Sequence, residues 1–171
     1  MQQKEKVSPT DLRRKVILLA AKVVIVLLVL YILLFRIFGI IRIDSNAMFP
    51  RISGGDMVAI IHGGDYTNGD AIVYKNLDRT YAGRVIAKAG DVVNYVDGKI
   101  TVNGSIEDVV SYGDTVMPSE GGFAFPYTVT DNCYFILGDN RNDLDDSRTF
   151  GLIKVTEIEG KIIGVFRSHG I

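Results

Sequence analysis

The residues whose types and spacing together point to chemistry fall in two short strings. Gly138-Asp139-Asn140-Arg141, followed by Asp146-Ser147-Arg148 and Gly151, alternates carboxylates with guanidinium groups. Such alternation suits ion-pair clusters, and a fold-keeping role is favoured for Asp139, Asp146 and Arg148 over a reactive one. Ser45-Asn46-Ala47-Met48-Phe49-Pro50 carries a single hydroxyl, on Ser45. Its first three residues also have the small-x-small form of a leader-cleavage site. His62 and His169 stand alone, with no second ligand close in the sequence, so no metal site is expected, and no cofactor. Cys133 is the one cysteine; it lies in an apolar run, where a buried structural thiol is expected.

These strings must be positioned by two unlike parts of the chain. Acidic and basic residues nearly cancel, 20 against 19, which excludes a nucleic-acid binder relying on bulk positive charge. The balance is uneven along the sequence: residues 1–42 hold eight Lys/Arg and two Asp/Glu, whereas residues 43–171 hold eleven and eighteen. Halves of opposite sign point to two environments. Residues 16–35, VILLAAKVVIVLLVLYILLF, are interrupted by one charge, Lys22, which is near enough to the start to snorkel to the interface. As a helix they span roughly 30 Å, the thickness of a bilayer core. Lys4, Lys6, Arg13, Arg14 and Lys15 precede the run, and positive flanks stay cytoplasmic. The expected order is a cytoplasmic basic segment at 1–15, a transmembrane anchor at 16–41 and an extracytoplasmic domain at 42–171. A cleaved leader ending at Ala47 is the alternative. Its apolar core would be about 7–15 residues, shorter than this one, so a retained anchor is preferred.

Beyond the anchor the apolar runs shorten. MVAII (57–61), AIVY (71–74), RVIA (84–87), VVNYV (92–96), KITV (99–102), CYFIL (133–137) and KIIGVF (161–166) read as strands bounded by Gly, Asn and Asp. Asp97-Gly98 is a two-residue hairpin signal. No later segment keeps a helical period, so a mainly β domain, sandwich or barrel, is predicted. Residues 105–126 read as a surface loop or mobile arm.

Four segments in order resemble the type I bacterial signal peptidases, membrane-anchored Ser–Lys proteases. Ser45–Pro50 is similar to the family's nucleophile segment, small-x-Ser-Met-x-Pro. The paired strands Gly55-Asp56-Met57-Val58 and Gly69-Asp70-Ala71-Ile72-Val73 follow. Next is Tyr81-Ala82-Gly83-Arg84-Val85-Ile86-Ala87-Lys88-Ala89-Gly90-Asp91 with Asn103-Gly104, and last the Gly138–Gly151 box. The resemblance implies a signal-peptidase-type β domain resting on the outer membrane leaflet. It also implies a groove that binds an extended signal peptide as an added strand. The family's large accessory domain is expected to be absent, because the stretch between Gly104 and Cys133 is short.

The family's chemistry needs a Ser hydroxyl as nucleophile and a desolvated, neutral Lys amine as general base. Here the nucleophile position is Ala47 and the base position, before Arg84, is Gly83. The family's Ser two residues before the box Asp, which bonds the Lys, is Leu144. Neither nearby substitute fits. Ser45 is two positions from Ala47, about 6–7 Å along a strand, and Lys88 is five from Gly83, on the opposite face of a regular strand. What the resemblance leaves is a frame. Arg84 and Asp139 match an ion pair, Asp146 and Arg148 a second cluster, Ser45 an oxyanion-holding hydroxyl, Met48 a pocket wall and Pro50 the following turn.

The implied function is a signal-peptidase-like membrane protein without proteolysis, a chaperone or assembly factor for a secreted precursor such as a pilin. Some family members that lost the Ser–Lys pair act in Gram-positive pilus assembly alongside sortases. Its partners would be the lipid bilayer, the precursor and a sortase, with no nucleic acid. Two alternatives stand beside it: an active signal peptidase with a displaced nucleophile such as Ser45, and a structural β domain that binds no peptide.

Overall fold

A computed structural model describes residues 9–107, 111–118 and 124–167. His169, and the Val109-Val110 and SEGG parts of the expected loop, lie outside these residues. The chain divides into two units, Met1–Ile37 and Phe38–Ile171.

The first unit holds helix α1, Pro9–Ile37. Its apolar residues are uninterrupted by Gly or Pro, and Asp11 in the first turn and Arg36 in the last complement the helix dipole. Its most apolar 18-residue window has a mean hydropathy of 3.1 and is 0% buried by protein. A helix apolar on all sides and covered by nothing is suited to lipid. The helix stops at Ile37, and Phe38 to Ile41, expected within the anchor, are strand instead. The reason is pairing: β1, Phe38–Arg42, lies in register against β2, Met57–Ile61, from Phe38↔Ile61 to Arg42↔Met57.

The second unit is mainly β. After β1 and β2 come β3 (Ala71–Asn76), β4 (Arg79–Lys88), β5 (Val92–Val96), β6 (Lys99–Val102), β7 (Ser105–Ile106), β8 (Tyr127–Thr128) and β9 (Cys133–Leu137). A short helix α2 (Ser147–Phe150), β10 (Ile153–Lys154), a 3-10 turn and β11 (Ile158–Phe166) complete it. All seven predicted strands are present. Seven strands form one sheet in the order β1-β2-β11-β3-β4-β9-β10, and β7-β6-β5-β8 form another. The pairings within both sheets are antiparallel. The hairpin at Asp97-Gly98 has both residues at positive φ, 50° and 79°, the geometry a tight two-residue turn requires.

Three departures from the sequence reading matter. Strand β4 contains an irregularity between Val85 and Ala87, so it is not the regular strand assumed when Lys88 was set on the opposite face from Gly83. Cys133 is half-buried rather than buried, because it begins β9 at the sheet margin. Part of the expected loop is anchored: Tyr112 bridges Asn140, and Arg148 donates to Val116 O at 2.6 Å.

Strand β11 pairs first with β3 and then with β2, with register shifts at 158/160 and 162/164 that curl the sheet. Gly160 is required at the first shift, since a Cβ there would stand 2.4 Å from the Ile61 carbonyl oxygen, a backbone atom that cannot yield. Gly164, at the second, would meet nothing nearer than Ala59 Cβ at 3.8 Å. Gly160→Ala is therefore expected to cost about 2 kcal/mol and Gly164→Ala a few tenths. Denaturant unfolding of the full chain in detergent micelles measures both; equal losses would contradict the assignment.

Candidate active site

The family positions identified in the sequence converge on the carboxyl end of β9. The segment after β1 is fixed first. Ile43 N–H donates to Asp56 O at 2.9 Å, and Gly55 N–H to Ile43 O at 2.8 Å. Residues 46–52 then fold into a tight loop, with Phe49 N–H on Asn46 O (3.0 Å), Ile52 N–H on Met48 O (3.0 Å) and a cis Phe49–Pro50 bond. This loop packs beneath residues 138–140. Asn140 N–H donates to Ala47 O at 2.9 Å, and Asp139 N–H points to Met48 Sδ at 3.4 Å. Gly138 permits the approach: a Cβ there would lie 2.4 Å from Ala47 O.

Ala47 is 0% exposed and presents only a methyl group. Gly83 is also buried, in β4. The space a side chain would need there is taken, with Ile136 Cγ2 at 2.5 Å, Tyr74 Cε1 at 3.1 Å and Leu137 O at 3.5 Å from an ideal Cβ. Tyr74 stacks on Tyr81, ring centroids 5.6 Å apart, and its hydroxyl donates to Asp145 O at 3.1 Å. Burial, with help from the Asp146 and Asp145 carboxylates, pushes the Tyr74 phenol well above its ordinary pKa. It stays protonated at neutral pH and cannot act as a base. Leu144 is half-buried and adjoins Asp145, the residue that anchors Tyr74. Packed side chains thus fill the positions to which the resemblance would assign a hydroxyl and an amine.

The substitutes remain apart. Despite the irregularity in β4, Lys88 is exposed at the far end of that strand, opposite Tyr134 in β9. It borders a cavity with Asp65, Tyr66, Asn132 and Cys133, none of them a neighbour named above for Ala47. Ser45 is 3% exposed and its Oγ has no hydrogen-bond partner. Among the described residues no cluster of His, Cys, Asp and Glu could hold a metal ion.

The box residues form two buried charge clusters. Asp139, 1% exposed, receives Arg84 through Nε (2.8 Å) and a terminal nitrogen (2.6 Å), and Arg51 at 3.3 Å. Arg84 also donates to Gly69 O at 2.7 Å, and its bonds to Asp139 hold its pKa above the usual arginine value. Asp146 and Arg148 are wholly buried. Asp146 caps α2, accepts Gly138 N–H at 2.9 Å and takes Arg148 at 2.7 and 2.9 Å, while Ser147 Oγ accepts Ile136 N–H at 2.9 Å. Arg148 reaches the carbonyls of Val116 (2.6 Å) and Arg141 (2.7 Å). Arg141 in turn donates to Gly138 O at 3.1 Å and pairs with Glu107. Sequence reasoning did not single out Tyr74 or Glu107, which no motif marks, and it named Gly138 only as the head of the box, not as the residue that meets Ala47.

Residues 15–166 match the family described as signal peptidase, peptidase S26. The chain belongs to that family. It is 29% identical over 167 residues to signal peptidase I S of Bacillus subtilis (strain 168), covering 90% of this chain and 91% of that protein. It is 31% identical over 139 residues to signal peptidase IB of Staphylococcus aureus (strain Mu50 / ATCC 700699), covering 70% and 73%. A crystal structure of a signal peptidase I from Enterococcus faecalis V583 is 28% identical, with a TM-score of 0.47, covering 58% of this chain and 98% of that one. Signal peptidases of this family act on the signal peptides of secreted precursors at the membrane, and the one long apolar helix among the described residues is consistent with a single-pass anchor.

The two arginines on Asp139 differ in burial, their side chains being 14% exposed for Arg84 and 44% for Arg51. Arg84→Ala strands a buried carboxylate and is expected to cost about 3–5 kcal/mol. Arg51→Ala, on a half-exposed partner, should cost under about 1 kcal/mol. Thermal and denaturant unfolding of both variants checks the ordering; its reversal would contradict the network.

Proposed function

We propose that this signal-peptidase-family protein does not cleave peptides and serves as an assembly factor that holds a secreted precursor, such as a pilin, at the outer membrane face beside a sortase. One observation carries the reading: Ala47 offers a methyl group, and Gly83 faces Ile136 and Tyr74 where an amine would stand. In a serine protease, loss of the nucleophile costs up to about 10⁶ in turnover, and a second loss in the same unit adds little because none remains to lose. Arg84, Asp139, Asp146 and Arg148 support the reading by holding the junction together, while Ser45 and Met48, the peptide-contact positions that the resemblance implies, are 3% and 1% exposed and would meet a peptide only after the residues covering them move.

The topology proposed is an amino terminus in the cytoplasm and residues 42–171 outside. The charge before the apolar run supports it. The domain also shows an apolar face of Phe38, Ile40, Met57 and Phe166 on β1, β2 and β11, suited to the lipid surface. The second reading, a displaced nucleophile, draws on the unpartnered Ser45 Oγ. It lacks an activating group, for no described bond brings an amine to that hydroxyl, and an unactivated Ser is a weak nucleophile.

Deletion of the gene is expected to abolish or shorten pilus polymers on an immunoblot while bulk signal-peptide processing continues; unchanged polymers would contradict the assembly role. Chemistry is not restored by replacing the two groups alone. In Ala47→Ser with Gly83→Lys, the new Lys meets Ile136 and Tyr74, so turnover should stay at background and stability fall by about 1–3 kcal/mol. A preprotein-processing assay paired with a melting curve tests this, and efficient processing by the double variant would show that the space is open.

A further inference from the structure

Strand β4 pairs with β3 from Arg79 to Arg84, but β9 covers its other edge only from Arg84 onward. The edge at 79–83 therefore lies open to an added strand, beside Ser45 and Ala47, unless something else takes it. Asp44 takes it. Its N–H donates to Thr80 O at 2.9 Å, and its carboxylate Oδ2 accepts Thr80 N–H at 3.0 Å. Arg79 then donates to Asp44 O at 3.2 Å. Both backbone groups that Thr80 turns outward are occupied, one by a backbone amide and one by a side chain standing in for a neighbouring strand's carbonyl. The next residue of the same orientation, Ala82, is 1% exposed and packs in a cluster with Ile43 and Met48.

These bonds differ from the rest of the site in one respect. Asp44 is exposed, and Thr80 only half-buried, whereas Ala47, Met48 and Asp139 are sealed. A displaced Asp44 carboxylate would pass into water and leave no buried charge behind, so the side-chain arm of the contact, on Thr80 N–H, can open at small cost, whereas the Asp44 N–H bond to Thr80 O holds until the backbone between buried Ile43 and Ser45 shifts. An extended peptide binding by strand addition needs first the Thr80 N–H that the Asp44 carboxylate now holds, and then the Thr80 C=O as the Asp44 backbone gives way.

We propose that Asp44 is a competitive latch on β4: it closes the strand-addition edge beside Ser45 and Ala47, and an extended segment of the precursor enters by displacing it. The proposal rests on the peptide-holding reading above and adds a device that limits affinity, so that the edge stays closed to chance extended segments and opens to clients with further contacts.

The test uses the full chain in detergent micelles, amide hydrogen exchange at Thr80, and a fluorescent extended peptide bearing a small-x-small sequence. Asp44→Ala removes the carboxylate acceptor. It should speed Thr80 exchange and tighten peptide binding, each roughly five-fold, the scale of one modest hydrogen bond. Asp44→Asn retains an acceptor oxygen and should stay within about two-fold of the native protein in both. Unchanged Thr80 exchange in Asp44→Ala overturns the latch. Faster exchange with identical peptide affinity also overturns it, showing that peptide binds elsewhere and leaving the peptide-holding reading intact. No binding by any of the three proteins sinks the peptide-holding reading and the latch's role with it.

Discussion

The carboxyl end of β9 is held by two buried carboxylates, and everything else at the site follows from where they put Gly138. Asp146 binds the Gly138 amide while gripping Arg148, and Asp139, the next residue, grips Arg84 from β4. That pair of anchors brings Gly138 against the Ala47 carbonyl at a distance no side chain would allow. Buried charge is costly unless every lone pair is met. Here Arg148 reaches beyond Asp146 to the carbonyls of Arg141 and Val116, and Arg84 beyond Asp139 to Gly69, so the clusters also tie in the segment at 112–116 and the turn before β3.

On the reading proposed above, this division of labour is how a member of a protease family would lose its reactive pair and keep its frame. The nucleophile and base positions contribute little to the charge clusters; they sit on the apolar side of the same junction. A methyl at 47 packs under the Gly138 turn. A hydrogen at 83 lets Ile136 and Tyr74 close over β4, with Tyr74 tied to Asp145 through its hydroxyl. With that space filled by a core isoleucine and a stacked tyrosine, placing an amine at 83 means repacking a core rather than replacing one residue.

Much of this was legible in the sequence. The strands announced themselves by short β-branched and aromatic runs between turn residues, and the Asp97-Gly98 hairpin by its dipeptide. The strands that escaped notice, β7, β8 and β10, have two residues each, too few to show alternation, and β1 was hidden in the tail of the apolar run. The assignment of 47, 83 and 144 to the family's reactive positions rests on the order of the motifs alone. What could not be read was what fills the gap, since Tyr74 and Ile136 reach Gly83 from different strands. The irregularity between Val85 and Ala87 carries no residue signature, and the Asp44–Thr80 contact joins positions 36 apart whose types suggest nothing. Contacts across the sheet come from register and packing, which local patterns do not encode.

The central claim is that no group at this junction can break a peptide bond. It is tested most directly by incubating the purified full chain, at stoichiometric concentration in micelles, with a secretory preprotein and following the products by mass spectrometry. The account predicts that the preprotein remains intact at the rate seen in buffer alone. Release of a discrete signal peptide above that rate, abolished by Ser45→Ala, would contradict it.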